Sequence, residues 1–239
     1  LMSLSILILA AGPDETLTDS PVYFAEFGGK TLLELFYEKY TVVEPTDIAL
    51  CCLKSDIQRF HLDRVIKLLS PKTNIIEIEK DTGGSGCTAL LGACQLPQQN
   101  ELLIISANEF VNVALGPALD GFRKRKLDGG TFTFQSMNPR YSFVKTDEDG
   151  RVIEVAQKNP ISTSATVGLF WYARTEYFVE AAKQMIIKNA RTDGRFFIAP
   201  AFNEMILKNK HVGETQISQS DYWPLKTAAQ RELFEERTL

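Results

Sequence analysis

Histidine is nearly missing from this 239-residue chain: His61 and His211 stand alone, and neither belongs to a catalytic constellation. Cysteine is sparse and carries no metal-ligand spacing. Cys51 and Cys52 are adjacent within an apolar run that reads as a buried strand, and Cys87 and Cys94 stand apart; four reduced thiols of a cytoplasmic protein is the resulting expectation. Positive charge is not in excess, since 26 Lys and Arg face 30 Asp and Glu, a net charge of −4. General nucleic-acid binding needs a basic face to release counterions, and the only basic cluster, residues 123–126, reads as a solvated helix end. No apolar run reaches the ~20 residues of a membrane span. The first apolar stretch, 6–11, is too short for the core of a signal peptide and has no basic leader. Linker-like segments and internal repeats are also missing.

What remains is an ordinary globular composition, 44% apolar, 10% aromatic and 23% charged. A chain of this mass folds to roughly 10,800 Å² of surface from roughly 39,000 Å² unfolded, enough burial for a full core without staples. The first half alternates strands (4–9, 47–53, 74–78, 102–106) with helices (31–40, 55–69, and one opening near residue 86). Ser55 is the expected cap of the second helix, with Ile57, Phe60, Val65 and Leu68 on its apolar side. That alternation predicts βαβ units and a mostly parallel, Rossmann-like sheet with helices on both faces. After Gly129-Gly130 the pattern changes to period-2 strands (131–135, 141–145, 151–156, 165–172), with a hairpin turn at 147–150. Helices at 176–188, 200–208 and 227–236 and a strand at 212–217 complete the chain. We read one α/β domain over 1–239: a nucleotide-binding half, 1–128, and a half with an antiparallel insertion that completes a substrate pocket, 129–239.

Two loops carry the chemical signal. Leu9-Ala10-Ala11-Gly12 follows the first strand, and its small residues let a base or phosphate approach the backbone at the carboxyl end of a central strand, where open α/β sheets bind ligands. Thr82-Gly83-Gly84-Ser85-Gly86-Cys87-Thr88 joins a strand to a helix, and its amides can hold a base edge or an anion. Either loop alone is also what a purely structural turn looks like.

In this order, and with Phe27-Gly28-Gly29-Lys30-Thr31-Leu32, Pro139-Arg140-Tyr141-Ser142-Phe143, Gly150-Arg151-Val152-Ile153, Gln157-Lys158-Asn159-Pro160, Ala165-Thr166-Val167-Gly168 and Phe197-Ile198-Ala199-Pro200 behind them, the sequence resembles the sugar-1-phosphate nucleotidyltransferases over nearly its whole length. The resemblance implies a GT-A-like fold and an attack of a sugar phosphate on the α-phosphorus of an NTP, with pyrophosphate leaving and Mg²⁺ held by carboxylates. It puts Ala10, Ala11, Gly12, Gly84, Ser85, Gly86 and Thr88 on the nucleotide, and Lys158 and Gly168 on the sugar phosphate, with Lys158 as the catalytic cation. Asn108 and Glu109 fall where the metal would be held.

The charged machinery departs from the family pattern. Pro13-Asp14-Glu15-Thr16 stands where a phosphate-gripping arginine belongs, and Val22 where a lysine does. Asn108 occupies the place of a metal aspartate, Pro224 that of a second acid, and Gln157 that of the glutamate before the pocket lysine. One like-charge contact at 4 Å costs about 4 kcal/mol at an effective dielectric of 20, so Asp14 and Glu15 predict a poor grip on a triphosphate. Three readings follow: an active nucleotidyltransferase of sugar-nucleotide or surface-polysaccharide metabolism; a catalytically degenerate binding or regulatory domain on the same fold; or, more weakly, a glycosyltransferase using a nucleotide sugar. The ligand class is the same in each, a nucleotide with a sugar phosphate or nucleotide sugar, with neither nucleic acid nor membrane as partner. The oligomeric state is open.

Overall fold

A computed structural model describes residues 3–12 and 20–238. Strand β1 (Leu4–Ala10) is buried at all of its positions, as a strand covered on both faces must be. The following segment contains a hairpin of β2 (Glu26–Phe27) and β3 (Lys30–Thr31), turned by Gly28 and Gly29 at φ 57° and 79°. Thr31 starts α1 (Leu32–Tyr40): its hydroxyl accepts from the Glu34 amide, and the Glu34 carboxylate accepts from the Thr31 amide at 2.6 Å. This reciprocal capping fixes the first helix end.

Next come β4 (Asp47–Leu53), α2 (Lys54–Phe60), α3 (Leu62–Leu69), β5 (Thr73–Ile78), α4 (Ser85–Ala93) and β6 (Glu101–Ser106). Beyond them lie β7 (Glu109–Val111), α5 (Leu115–Lys124), β8 (Gly129–Gln135), β9 (Ser142–Thr146), β10 (Val152–Gln157) and β11 (Ser164–Tyr172). The chain ends with α6 (Thr175–Ile187), α7 (Ala201–Leu207), β12 (Val212–Gln216), β13 (Tyr222–Pro224) and α8 (Ala228–Thr238).

Nine strands make one mixed sheet along the path β10-β9-β11-β6-β1-β4-β5, with β8 on β11 and β12 on β8. The four strands β6-β1-β4-β5 are parallel, and β11 joins them antiparallel through Leu169–Tyr172 against Leu102–Ile105. The sheet therefore runs through both expected halves of the chain. Alternate residues of β1 feed opposite faces: Ile6 and Ile8 pack with Phe36, Leu62 and Phe122, whereas Leu7 and Leu9 pack with Ala89, Phe178 and Phe202. Helices cover both faces, as the sequence predicts.

Two local expectations are corrected. The helix expected over 55–69 is two helices, broken at His61 in the left-handed region (φ 52°), and Leu53 rather than Ser55 stands at the first N-cap. The break re-aims the apolar side: α3 buries Leu62 and Ile66, while Leu68 is 87% exposed. Helix α5 escaped the periodicity reading because Gly116, Pro117 and Gly121 dilute its helical preference. Its end is the expected basic cluster, in which Arg123 is fastened to buried Glu101 and to Asp120. Trp171 lies in the core, and Trp223 packs on Phe234. Among the described residues no helix is long and apolar enough to cross a membrane.

Burial raises Tyr37 to about 12 and takes Tyr40, Tyr172 and Tyr222 well above the ordinary phenol value. Unfolded phenols ionise near pH 10, so above that pH the unfolded chain binds fewer protons and stability falls as pH rises. We expect an ultraviolet titration of the folded protein at about pH 11 to leave these four phenols protonated, and their absorbance to appear only when denaturant is added.

Candidate functional site

A cleft of about 830 Å³ opens at the carboxyl ends of β1, β4 and β6 and is walled on its other side by the β9–β11 region. That is the position an open parallel sheet offers a ligand. Ala10, Ala11 and Gly12 line it, as do Gly84, Ser85 and Thr88 of the second loop, and Lys158, Gly168, Asn108 and Glu109. Ten of the eleven residues singled out from sequence thus meet in one cavity. Gly86 does not reach it: its amide donates to the Phe196 carbonyl at 2.9 Å, and an added Cβ would lie 2.9 Å from the Phe197 carbonyl oxygen.

The two small-residue loops owe their glycines to different causes. Gly84 has φ 134°, and a Cβ there would fall 2.2 Å from the backbone oxygen of Phe196, so the fold itself demands glycine. Much of that turn's hydrogen bonding is internal: Gly83 donates to Asp81, Cys87 and Thr88 donate to the Gly84 carbonyl, and the Thr82 and Thr88 hydroxyls pair at 2.7 Å. Gly12, in contrast, has no positive φ, and no atom of a described residue lies within 4 Å of an added Cβ. Packing among the described residues gives no reason for glycine there, and Gly12 lines the cleft.

Charge in the cleft runs against the protein's acidic balance. Arg59, Arg140, Lys158, Arg195 and Lys226 line it, against the carboxylates of Asp56, Asp81 and Glu109. Arg195 grips Asp81 through two bonds of 2.9 and 2.7 Å and, with the Gly83 amide, holds that carboxyl below its usual range. Lys158, itself at φ 56°, meets Asp193 at 2.7 Å and lies over the Phe197 ring. Both members of that pair are well exposed, so water screens it and an incoming phosphate can compete for the lysine. Arg140 and Lys226 form no ion pair with a described residue. Pro13, Asp14, Glu15 and Thr16 lie outside the described residues, so the repulsion expected from Asp14 and Glu15 has no structural counterpart here.

The positions that depart from the family pattern are brought together. Val22 lines the cleft, and Gln157 does so with its side-chain oxygen accepting from Ser142. Pro224 pairs with Glu109 across the short β7–β13 sheet, and the Asn108 carbonyl accepts from the Leu225 amide at 3.0 Å. The places where the resemblance expects two metal acids are therefore side by side, and they hold an amide and a proline. No group of three or more His, Cys, Asp and Glu converges among the described residues. This donor set does not fit a magnesium site of paired carboxylates.

Sequence reasoning missed the Asp81–Arg195 pair, Asp193, and the cluster of Glu109 with Tyr222. Arg195 and Asp193 come from an irregular segment whose path no periodicity reports, and Tyr222 reaches Glu109 only through a three-residue sheet.

No family model matches the sequence, and no curated protein matches it significantly. Solved structures do. The nucleoside-diphosphate-sugar pyrophosphorylase of Vibrio cholerae RC9 superposes with a TM-score of 0.80 at 22% identity, over 97% of this chain and 100% of that one. A proposed glucose-1-phosphate thymidylyltransferase from Bacillus anthracis, solved with sucrose, gives 0.75 at 16% identity, over 98% of this chain and 94% of that one. A UDP-glucose pyrophosphorylase complexed with UDP-glucose gives 0.75 at 14%, over 99% and 100%. At these identities the likeness establishes a nucleotidyltransferase fold.

The two glycines separate in experiment. Gly84→Ala is expected to destabilise the protein by more than about 2 kcal/mol, because backbone must move. Gly12→Ala is expected to stay within about 0.5 kcal/mol of wild type while weakening ligand binding. Thermal melts with and without nucleotide sugar read both effects.

Proposed function

We propose that this chain binds a nucleotide sugar or a sugar phosphate in the cleft and acts in sugar-nucleotide metabolism as a binding or regulatory domain on a nucleotidyltransferase fold. The observation that carries this reading is the juxtaposition of Asn108 and Pro224 where the resemblance expects two metal acids, beside a cleft lined by cations and small residues. Anion recognition is supported by Lys158, Arg140 and Arg195, and close approach of a base by Ala10, Ala11 and Gly12. Ser85, Gly84 and Thr88 form the facing wall. Stabilising the charge of a triphosphate as pyrophosphate leaves needs more than these residues supply, since each ~1.4 kcal/mol missing from the transition state is a factor of ten in rate.

A second reading, an active sugar-1-phosphate nucleotidyltransferase, is favoured by one observation, the excess of cations in the cleft. The glycosyltransferase reading has less support, because 106–108, Ser-Ala-Asn, supplies no acidic metal motif.

Pyrophosphate release and thermal shift separate the readings, measured with a panel of NTPs and sugar 1-phosphates in magnesium. We expect stabilisation without turnover. Lys158→Ala is expected to weaken glucose 1-phosphate binding by about tenfold, the loss of one charge-assisted contact. Turnover that vanishes in Lys158→Ala would establish the transferase instead.

A further inference from the structure

Glu109 is the first residue of β7, nine-tenths buried, and lies on the wall of the cleft. One carboxylate oxygen occupies the place of the missing side chain of Gly168, 2.1 Å from an ideal Cβ, so the carboxylate lies against β11 beside Ser106. It forms no ion pair with a described residue. The Tyr222 side chain stands beside it. Tyr141 also stands near, and Tyr40 is committed to the Val111 backbone. A carboxylate offers about four acceptor positions, and a buried one that lacks a cation needs donors to fill them. The unfilled positions border the cleft.

A metal is a poor occupant. The Tyr222 side chain stands against the carboxylate, the Asn108 backbone carbonyl is bound to Leu225, and Pro224 brings no side-chain ligand atom. A second anion is worse. Neutral O–H donors suit an acceptor-only group best. We infer that Glu109 reads the sugar: vicinal hydroxyls of the ring donate to its carboxylate at Gly168, while Lys158 and Arg140 face the phosphates. Glu109 is thus a specificity-determining residue. This rests on the nucleotide-sugar reading above and assigns Glu109 a role other than metal ligation.

The test compares wild type with Glu109→Gln, using calorimetry with UDP-glucose and dTDP-glucose against UDP and dTDP, with and without magnesium. We expect Glu109→Gln to weaken the nucleotide sugar at least tenfold and to leave the nucleoside diphosphate unchanged. The unliganded variant is expected to melt at or above the wild-type temperature, because it removes a buried charge that no cation of the described residues neutralises. A lower melting temperature assigns Glu109 a structural role and overturns the inference. An equal loss for UDP and UDP-glucose overturns it too, as does magnesium-dependent binding that Glu109→Gln abolishes. Unchanged sugar affinity in Glu109→Gln overturns this inference alone, whereas a wild type that binds none of the four compounds overturns the nucleotide-sugar reading along with it.

Discussion

Strand β11 is the element on which the two halves of the molecule depend. Eight of its nine residues are buried, and it pairs with β6, β8 and β9. Through Leu169–Tyr172 it is hydrogen-bonded to the edge of the parallel half, and through Ser164–Thr166 to the strands of the second half. Its register with β8 shifts between Thr166 and Phe170. Gly168 sits inside that shift, at the cleft. The strand that joins the halves is therefore irregular where it borders the cleft, and there the Glu109 carboxylate takes the place of a side chain. Bulges near sites re-aim neighbouring groups in this way.

The distribution of charge follows from the same arrangement. The chain is acidic overall, yet the described walls of the cleft carry five cations against three carboxylates. Two of those cations are held in place by acids, Lys158 by Asp193 and Arg195 by Asp81, which orients them at low cost in exposed surroundings. Arg140 and Lys226 have no such partner among the described residues. A net charge is a prior about macromolecular partners; the local potential of a cleft is set by which loops converge on it.

The fold was legible in the sequence because its signal is local and repeated. Continuous apolar runs at β1 and β4 and the helix at α1 are determined by burial on both faces or on one, and each was visible residue by residue. The hairpin at Gly150 and the change of period after Gly130 were legible for the same reason. The break at His61 was not, because the apolar residues on either side of it continue an acceptable helical spacing. Helix α5 was hidden by its glycines and proline, which tertiary packing of Leu115, Leu119 and Phe122 overrides. The short strands β7 and β13 carry no pattern long enough to read.

The sequence alone determined the parallel half, the small-residue loop at Ala10, Ala11 and Gly12, and the substitutions at Asn108 and Pro224, since each is a matter of residue type and order. Only the tertiary structure decided which glycine is structural and which is open, at Gly84 and Gly12. It also decided that Asn108 and Pro224 are neighbours, and that Glu109 meets Gly168 and Tyr222 rather than solvent. Those facts depend on contacts between residues 59 to 117 positions apart, which pack only when β11 and the β7–β13 sheet are in place.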